Sequence, residues 1–273
     1  METLWLVNGE RTGVDPADRG LAYGDGLFET MAAQDGQIRW LDLHFDRLEE
    51  GCRRLEIQPP ERRLLADEIA RHCTRVGRAA VKLIVTRGSG TRGYAPPAVA
   101  VATRILSVGA WPKYPSSYYA NGIRVRVCRL RLASNPTLAG MKHLNRLEHV
   151  LAHLELRGAD AEQGLLLDTS EHVVGGTSSN VFAVHQGQLL TPAIERAGVK
   201  GVMRRVVLAA AAELGLRTTE RDLTLAEITN ADELFMTNAL FGIWPVASLD
   251  SGTFARGAIT QRLMHHLGVS ADA

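Results

Sequence analysis

The chain has 273 residues, enough for one large domain or two modest ones, each able to bury a core. Its 31 Lys and Arg against 30 Asp and Glu leave a formal charge of +1, too little for a global field that would hold nucleic acid or an anionic membrane, so small-molecule chemistry becomes the default. Cys52, Cys73 and Cys128 form no CxxC pair, which argues against a disulfide framework or a metal site and suits the reducing cytoplasm.

At the N-terminus, METLWLVNGE puts acidic Glu2 where an export leader carries basic residues, and no apolar run approaches the roughly 20 residues of a membrane span. Neither export nor insertion is expected. LDLHFDRLEEGCRRLEI carries Leu41, Phe45, Leu48, Cys52 and Leu55 at alternating four- and three-residue spacing, which predicts an amphipathic helix that also bears Arg47. AAVKLIVTRG and PAVAVATRILSVGAW, rich in Val and Ile and bounded by Gly or Pro, read as two buried strands. Residues 111–122 collect two prolines, two serines, an asparagine and a glycine, and are the linker expected between an N-terminal α+β domain (1–110) and a C-terminal domain (123–273).

Beyond that stretch, IRVRVCRLRL alternates apolar and basic residues, a strand with one wet face. HLNRLEHVLAHLEL sets Leu144, Leu147, Leu151 and Leu154 on one helical stripe. Strands follow at GLLLD, HVV, NVFAVHQ and QLLTP, with Gly187 in a hairpin turn. VMRRVVLAAAAELG reads as a helix stopped by Gly215. ELFMTNAL and IWPVASL are later strands, and RGAITQRLMHHLG is a closing helix.

Three constellations invite chemistry. AGMKHLNRLEHV puts Lys142 after a glycine, directly before a helix and among apolar neighbours. A lysine half removed from water has its pKa lowered from about 10.4, which frees the amine to attack an aldehyde, although most lysines at a helix start are solvated. RGSGTRGY satisfies GxGxxG after a strand, yet Pro96 and Pro97 forbid the helix that a dinucleotide fold needs. His149 and His153, four apart on one helix, lack both an HExxH context and a third ligand, so no metal is expected there.

The Lys142 segment MKHLNRLE resembles that of the aminodeoxychorismate lyases, within the fold type IV pyridoxal-phosphate enzymes. RGLAYGDGLFET (19–30), HFDRL (44–48), RGSGTRGY (87–94), GVKGVMR (198–204) and TNALFGIWPV (237–246) match the same family. The resemblance covers nearly the whole chain. It implies an α+β chain of two domains, a smaller N-terminal α/β sandwich and a larger C-terminal β-rich pseudo-barrel with outer helices. It implies pyridoxal 5'-phosphate as cofactor, bound to Lys142 as a Schiff base, and a homodimer with a small-molecule substrate. Arg47 matches the arginine that grips the cofactor phosphate, where a guanidinium fork suits phosphate oxygens; the simpler reading is an exposed helix arginine paired with a nearby Glu. The first N–H groups of the helix at Val202 and Met203 would hold the same phosphate, with Asn238 nearby and Asn180 supporting the cofactor ring. Arg92 and Tyr94 match a loop that, in related D-amino-acid aminotransferases, grips the substrate carboxylate across the dimer interface. An exposed hairpin with a solvated arginine is the alternative. Phe28 borders the active site.

The resemblance breaks at Gly175, in VVGGTSSNVF, where the family often has a glutamate on the pyridine nitrogen. Its loss weakens the ring as an electron sink and favours a lyase, whose product gains aromaticity, over an aminotransferase for D-amino or branched-chain acids. The expected reaction turns 4-amino-4-deoxychorismate into 4-aminobenzoate and pyruvate, with Lys142 also serving as general base and acid.

Overall fold

In the computed structural model, which describes residues 3–73 and 77–270, the chain divides by its contacts into two units, Met1–Lys113 with Met141–Asn145, and Tyr114–Gly140 with Arg146–Ala273. Glu2, read above against an export leader, lies outside the described residues.

The first unit contains β1 (Leu4–Val7), α1 (Arg19–Tyr23), β2 (Gly26–Gln34), β3 (Gln37–Ile38), α2 (Leu41–Leu55), α3 (Arg62–Cys73), β4 (Arg78–Thr86) and β5 (Thr103–Ala110). The strands form an antiparallel sheet in the order β1-β5-β4-β2-β3. β2 and β4 run paired from Gly26 opposite Thr86 to Gln34 opposite Arg78. Alternation along β4 buries Ala79, Val81, Leu83 and Val85, as period-2 patterning requires. α2 turns His44, Phe45, Leu48 and Cys52 inward and packs on β2. Gly51 permits the close approach, because a Cβ there would meet the Leu27 methyls at 2.8 Å. β5 begins later than its apolar composition suggests: Val99 and Val101 lie in an exposed loop, and pairing with β4 starts only at Thr103.

Residues 142–144 extend β2 on its open edge. Phe28 N–H donates to the Lys142 carbonyl at 2.9 Å, Leu144 N–H donates to the Gly26 carbonyl at 3.0 Å, and Leu27 bridges His143. This pairing holds Lys142 in extended backbone, so the helix expected directly after it does not start there.

The second unit contains α4 (Ser116–Ala120), β6 (Ile123–Leu132), α5 (Leu147–Glu155), β7 (Gln163–Asp168), β8 (Val173–Gly176), β9 (Asn180–His185), β10 (Gln188–Pro192), α6 (Val202–Glu213), β11 (Thr218–Arg221), α7 (Leu225–Thr229), β12 (Glu233–Asn238), β13 (Gly242–Leu249), β14 (Gly252–Thr253) and α8 (Ala258–His266). Its sheet runs β11-β10-β9-β12-β13-β6-β7-β8, with β14 beside β13. The two ends of that order meet. Val173 N–H of β8 donates to the Leu223 carbonyl just past β11 at 2.8 Å, and His172 bridges Thr224. The sheet therefore curls on itself, as a pseudo-barrel demands. Phe182 and Phe235, cross-strand partners on β9 and β12, stack with ring centroids 5.0 Å apart in its core. α6 and α8 pack on β12 and on each other, the outer helices of the expectation. The leucine stripe of α5 does not serve that core. Leu147, Leu151 and Leu154, with Val150, are exposed, Leu147 by 69%.

Candidate functional site

Lys142 is half-buried, and its ammonium lies 4.3 Å from the centroid of the Phe28 ring. The backbone pairing with β2 delivers it there. Sequence reasoning passed over Lys82, whose ammonium stands 5.2 Å from the same ring. One aromatic face system thus receives two cations, an arrangement in which the ring quadrupole offsets part of the cost of desolvating them. The clue in the sequence was a lysine inside an otherwise apolar strand, AAVKLIVT.

Arg47 is paired with a glutamate, as its simpler sequence reading has it, but it is mostly buried instead of exposed. It projects from α2 onto Glu29 of β2, donating from Nε to Oε1 at 2.7 Å and from a terminal nitrogen to Oε2, and its side chain is mostly buried. His44, one helical turn earlier, donates from Nδ1 to Glu29 Oε2 at 2.6 Å. Glu29 and His44 are both fully buried. Burial alone would raise the Glu29 pKa. The Arg47 charge and the hydrogen bonds from His44 and Arg47 outweigh it and hold the carboxyl down at about 2. Glu29 is therefore an anion at neutral pH, and its fork fixes the plane of the Arg47 guanidinium.

Arg92 and Tyr94 stand on the loop between β4 and β5. Both are exposed, Tyr94 by 86%, and the Tyr94 ring leans on Tyr23 of α1 with centroids 5.3 Å apart.

In the second unit, α6 opens at Gly201, in extended backbone and with no side chain to cap the helix. The N–H groups of Val202 and Met203 thus start a twelve-residue helix uncapped and buried, which suits an anion such as a phosphate. Asn180 sits against this start. Its amide donates to the Val199 carbonyl at 2.9 Å, and a Cβ on Gly201 would come within 2.1 Å of its Oδ1. Asn180 thereby shapes the cradle, a contact across twenty-one residues that local sequence does not reveal. Asn238 builds the turn between β12 and β13. Its Oδ1 accepts from Leu240 N–H at 3.0 Å and Phe241 N–H at 2.9 Å, and its amide donates to the Ser178 carbonyl at 3.2 Å.

Gly175 lies buried in β8, and a Cβ there would lie 2.9 Å from the Ser179 carbonyl oxygen. The 176–179 turn, closed by Gly176 N–H on that carbonyl at 2.7 Å, lies against the position, so a side chain there would need it to shift. Buried Gln163, also missed in the sequence, gathers the hydroxyls of Thr177, Ser178 and Ser179 around its Oε1 at 3.1, 3.2 and 3.4 Å. Among the described residues, no group of three or more His, Cys, Asp or Glu is arranged to hold a metal.

The amino-transferase class IV family model matches residues 26–249. The chain is similar to an aminodeoxychorismate lyase of Vibrio harveyi, 34% identical over 97% of this chain and 99% of that protein. It is also similar to a putative branched-chain-amino-acid aminotransferase of Methanocaldococcus jannaschii, 35% identical over 90% of this chain and 87% of that one. Among solved structures it resembles the 4-amino-4-deoxychorismate lyase of Pseudomonas aeruginosa, with a TM-score of 0.93 and 48% identity over 97% of this chain and 98% of that one.

Proposed function

Because the chain belongs to the amino-transferase class IV family, we propose that it is a pyridoxal-phosphate lyase that converts 4-amino-4-deoxychorismate into 4-aminobenzoate and pyruvate. The observation that carries this reading is Lys142, a half-buried amine held on the Phe28 ring in a chain that matches two such lyases along almost its whole length.

Lys142 would bond the cofactor carbonyl. Arg47, fixed by Glu29 in the first unit, would suit the cofactor phosphate, and so, in the second unit, would the uncapped N–H groups of Val202 and Met203, a guanidinium and a helix start that each favour a dianion. Asn180 keeps that helix start open, and Asn238 supports the neighbouring turn. When bound, pyridoxal phosphate supplies an aldehyde for the substrate amine and a ring that withdraws electrons from the reacting carbon. Lys142 would also carry the proton from substrate C4 to the departing enolpyruvyl group. Phe28 lines the substrate, and Lys82 and Arg92 supply cations for its carboxylates, with Tyr94 beside Arg92.

Gly175 supports elimination over amino transfer. Gly175 supplies no carboxylate to the ring nitrogen, so the ring would be a weaker sink, and a substrate that becomes aromatic needs a weaker one. The second reading, an aminotransferase, is favoured by the likeness to the Methanocaldococcus protein. The two separate in one assay. Formation of 4-aminobenzoate from enzymatically made aminodeoxychorismate supports the lyase; amino transfer from L-leucine or D-alanine to 2-oxoglutarate, with no 4-aminobenzoate, overturns it.

The assembly proposed is a homodimer, supported by the exposed aliphatic face of Leu147, Val150, Leu151 and Leu154 on α5, which a second copy would cover. Sedimentation as a monomer at micromolar concentration would reject it. No helix among the described residues is long and apolar enough to cross a membrane, and the three buried, unpaired cysteines favour the cytoplasm as location.

A further inference from the structure

The loop that carries Arg92 and Tyr94 is gripped by one buried side chain from another part of the first unit. Arg19, at the first position of α1, is nearly inaccessible, yet its guanidinium makes four hydrogen bonds. Its Nε donates to Asp25 Oδ2 at 2.9 Å. One terminal nitrogen donates to the carbonyls of Gly93 at 3.0 Å and Ala95 at 3.3 Å, and the other to the carbonyl of Tyr94 at 2.8 Å. Three consecutive carbonyls point at one cation. The backbone reaches that shape through Gly93, whose φ of +108° is closed to other residues without strain. Tyr23 completes the clamp: its hydroxyl accepts from Gly93 N–H at 3.1 Å, and Arg19 stacks over its ring at 4.9 Å.

The base of the loop is tied down as firmly. Asp18 accepts from the Thr86 hydroxyl at 2.8 Å, that hydroxyl accepts from Gly88 N–H at 2.9 Å, and Arg19 N–H donates to the Gly88 carbonyl at 2.9 Å. Gly90 N–H donates to the Ala17 carbonyl at 3.2 Å. With carbonyls 93 to 95 drawn inward, the Arg92 and Tyr94 side chains are exposed, and Arg92 makes no ion pair or hydrogen bond among the described residues. A guanidinium left unpaired on a loop this tightly held is a preset receptor for an anion, since little ordering remains to be done on binding.

We infer that Arg19 is a positioning residue for substrate carboxylate recognition, acting by holding the 93–95 carbonyls so that Arg92 is presented in its binding orientation. The inference rests on the proposed role of Arg92 as a carboxylate ligand. Lysine can replace Arg19 only in part, because an ammonium lacks the planar fork that reaches three carbonyls and a carboxylate together.

The test compares Arg19→Gln, Arg19→Lys, Gly93→Ala and Arg92→Ala as full-length, cofactor-loaded enzymes on aminodeoxychorismate, with amide exchange of residues 87–97 measured alongside. Gly93→Ala strains the turn with Arg19 intact, and a Cβ there meets nothing within 4 Å, so no clash adds to that strain. Arg19→Gln and Gly93→Ala are expected to raise KM on the order of tenfold with kcat within about threefold, to speed exchange in the loop, and to leave the lysine-bound cofactor absorbance unchanged. Arg19→Lys should recover only part of the loss. A raised KM in Arg92→Ala beside wild-type KM in Arg19→Gln, or in Gly93→Ala should the Gln variant not fold, overturns the inference while the Arg92 reading stands. Wild-type KM in Arg92→Ala overturns that reading, and this inference with it.

Discussion

The first unit sets charge against charge, and the second offers bare backbone. Arg47 is a cation whose plane is fixed by a buried anion, Glu29, itself held by buried His44. The start of α6 presents N–H groups through a position with no side chain at all. Both suit a phosphate, but they respond to different perturbations. A side-chain network fails when a partner is removed or protonated. A backbone cradle is blind to alanine scanning except at the glycine that keeps it open, where adding one carbon does the damage.

The largest effect is expected at Lys142, the only group assigned a covalent role. Lys142→Ala should lower pyruvate release by at least on the order of 10⁴-fold and remove the borohydride-sensitive absorbance, and turnover at the wild-type rate would refute the assignment. Next comes Glu29→Ala, which strands the buried His44 and the mostly buried Arg47 cation. It should cost roughly 3–5 kcal/mol in denaturant melts, and a loss below about 1 kcal/mol would show that the network is not what holds Arg47.

Acid should act on the same pair. Glu29 has its folded pKa depressed from 4.5 to about 2, so its contribution is complete above pH 4.5 and is lost as pH falls from there through about 2. That loss is on the order of 3 kcal/mol, and it should vanish from the acid titration of Glu29→Gln. Smallest is Gly201→Ala. Its Cβ would collide with Asn180 Oδ1, and the shift should weaken cofactor affinity about tenfold with an unchanged acid titration. Unaltered affinity there would erase the distinction between the two units.

Local patterning carried much of the fold. The three-and-four spacing of 41–55 found α2, the alternation of 123–127 found β6, and turn glycines such as Gly187 marked the hairpins. It failed where a distant partner decides. The leucines of α5 have helical spacing, but spacing does not say which face meets the core of its own chain, and theirs does not. His143 and Leu144 look helical in isolation and are drawn into extended backbone by the β2 edge. The Lys142 segment was legible as a motif. Glu29 as the partner of Arg47, Asn180 beside Gly201 and Gln163 amid three hydroxyls were not, because each contact spans fourteen or more residues and follows no period.

The return of Met141–Asn145 to the first unit makes the two units inseparable by a single cut. The chain changes unit after Lys113, after Gly140 and again after Asn145. A fragment ending at Lys113 would carry the sheet without the short segment that brings the amine, and the complementary fragment would carry the amine without the strand that orients it. Chimaeras between relatives therefore need three junctions, with residues 141–145 travelling alongside the first unit.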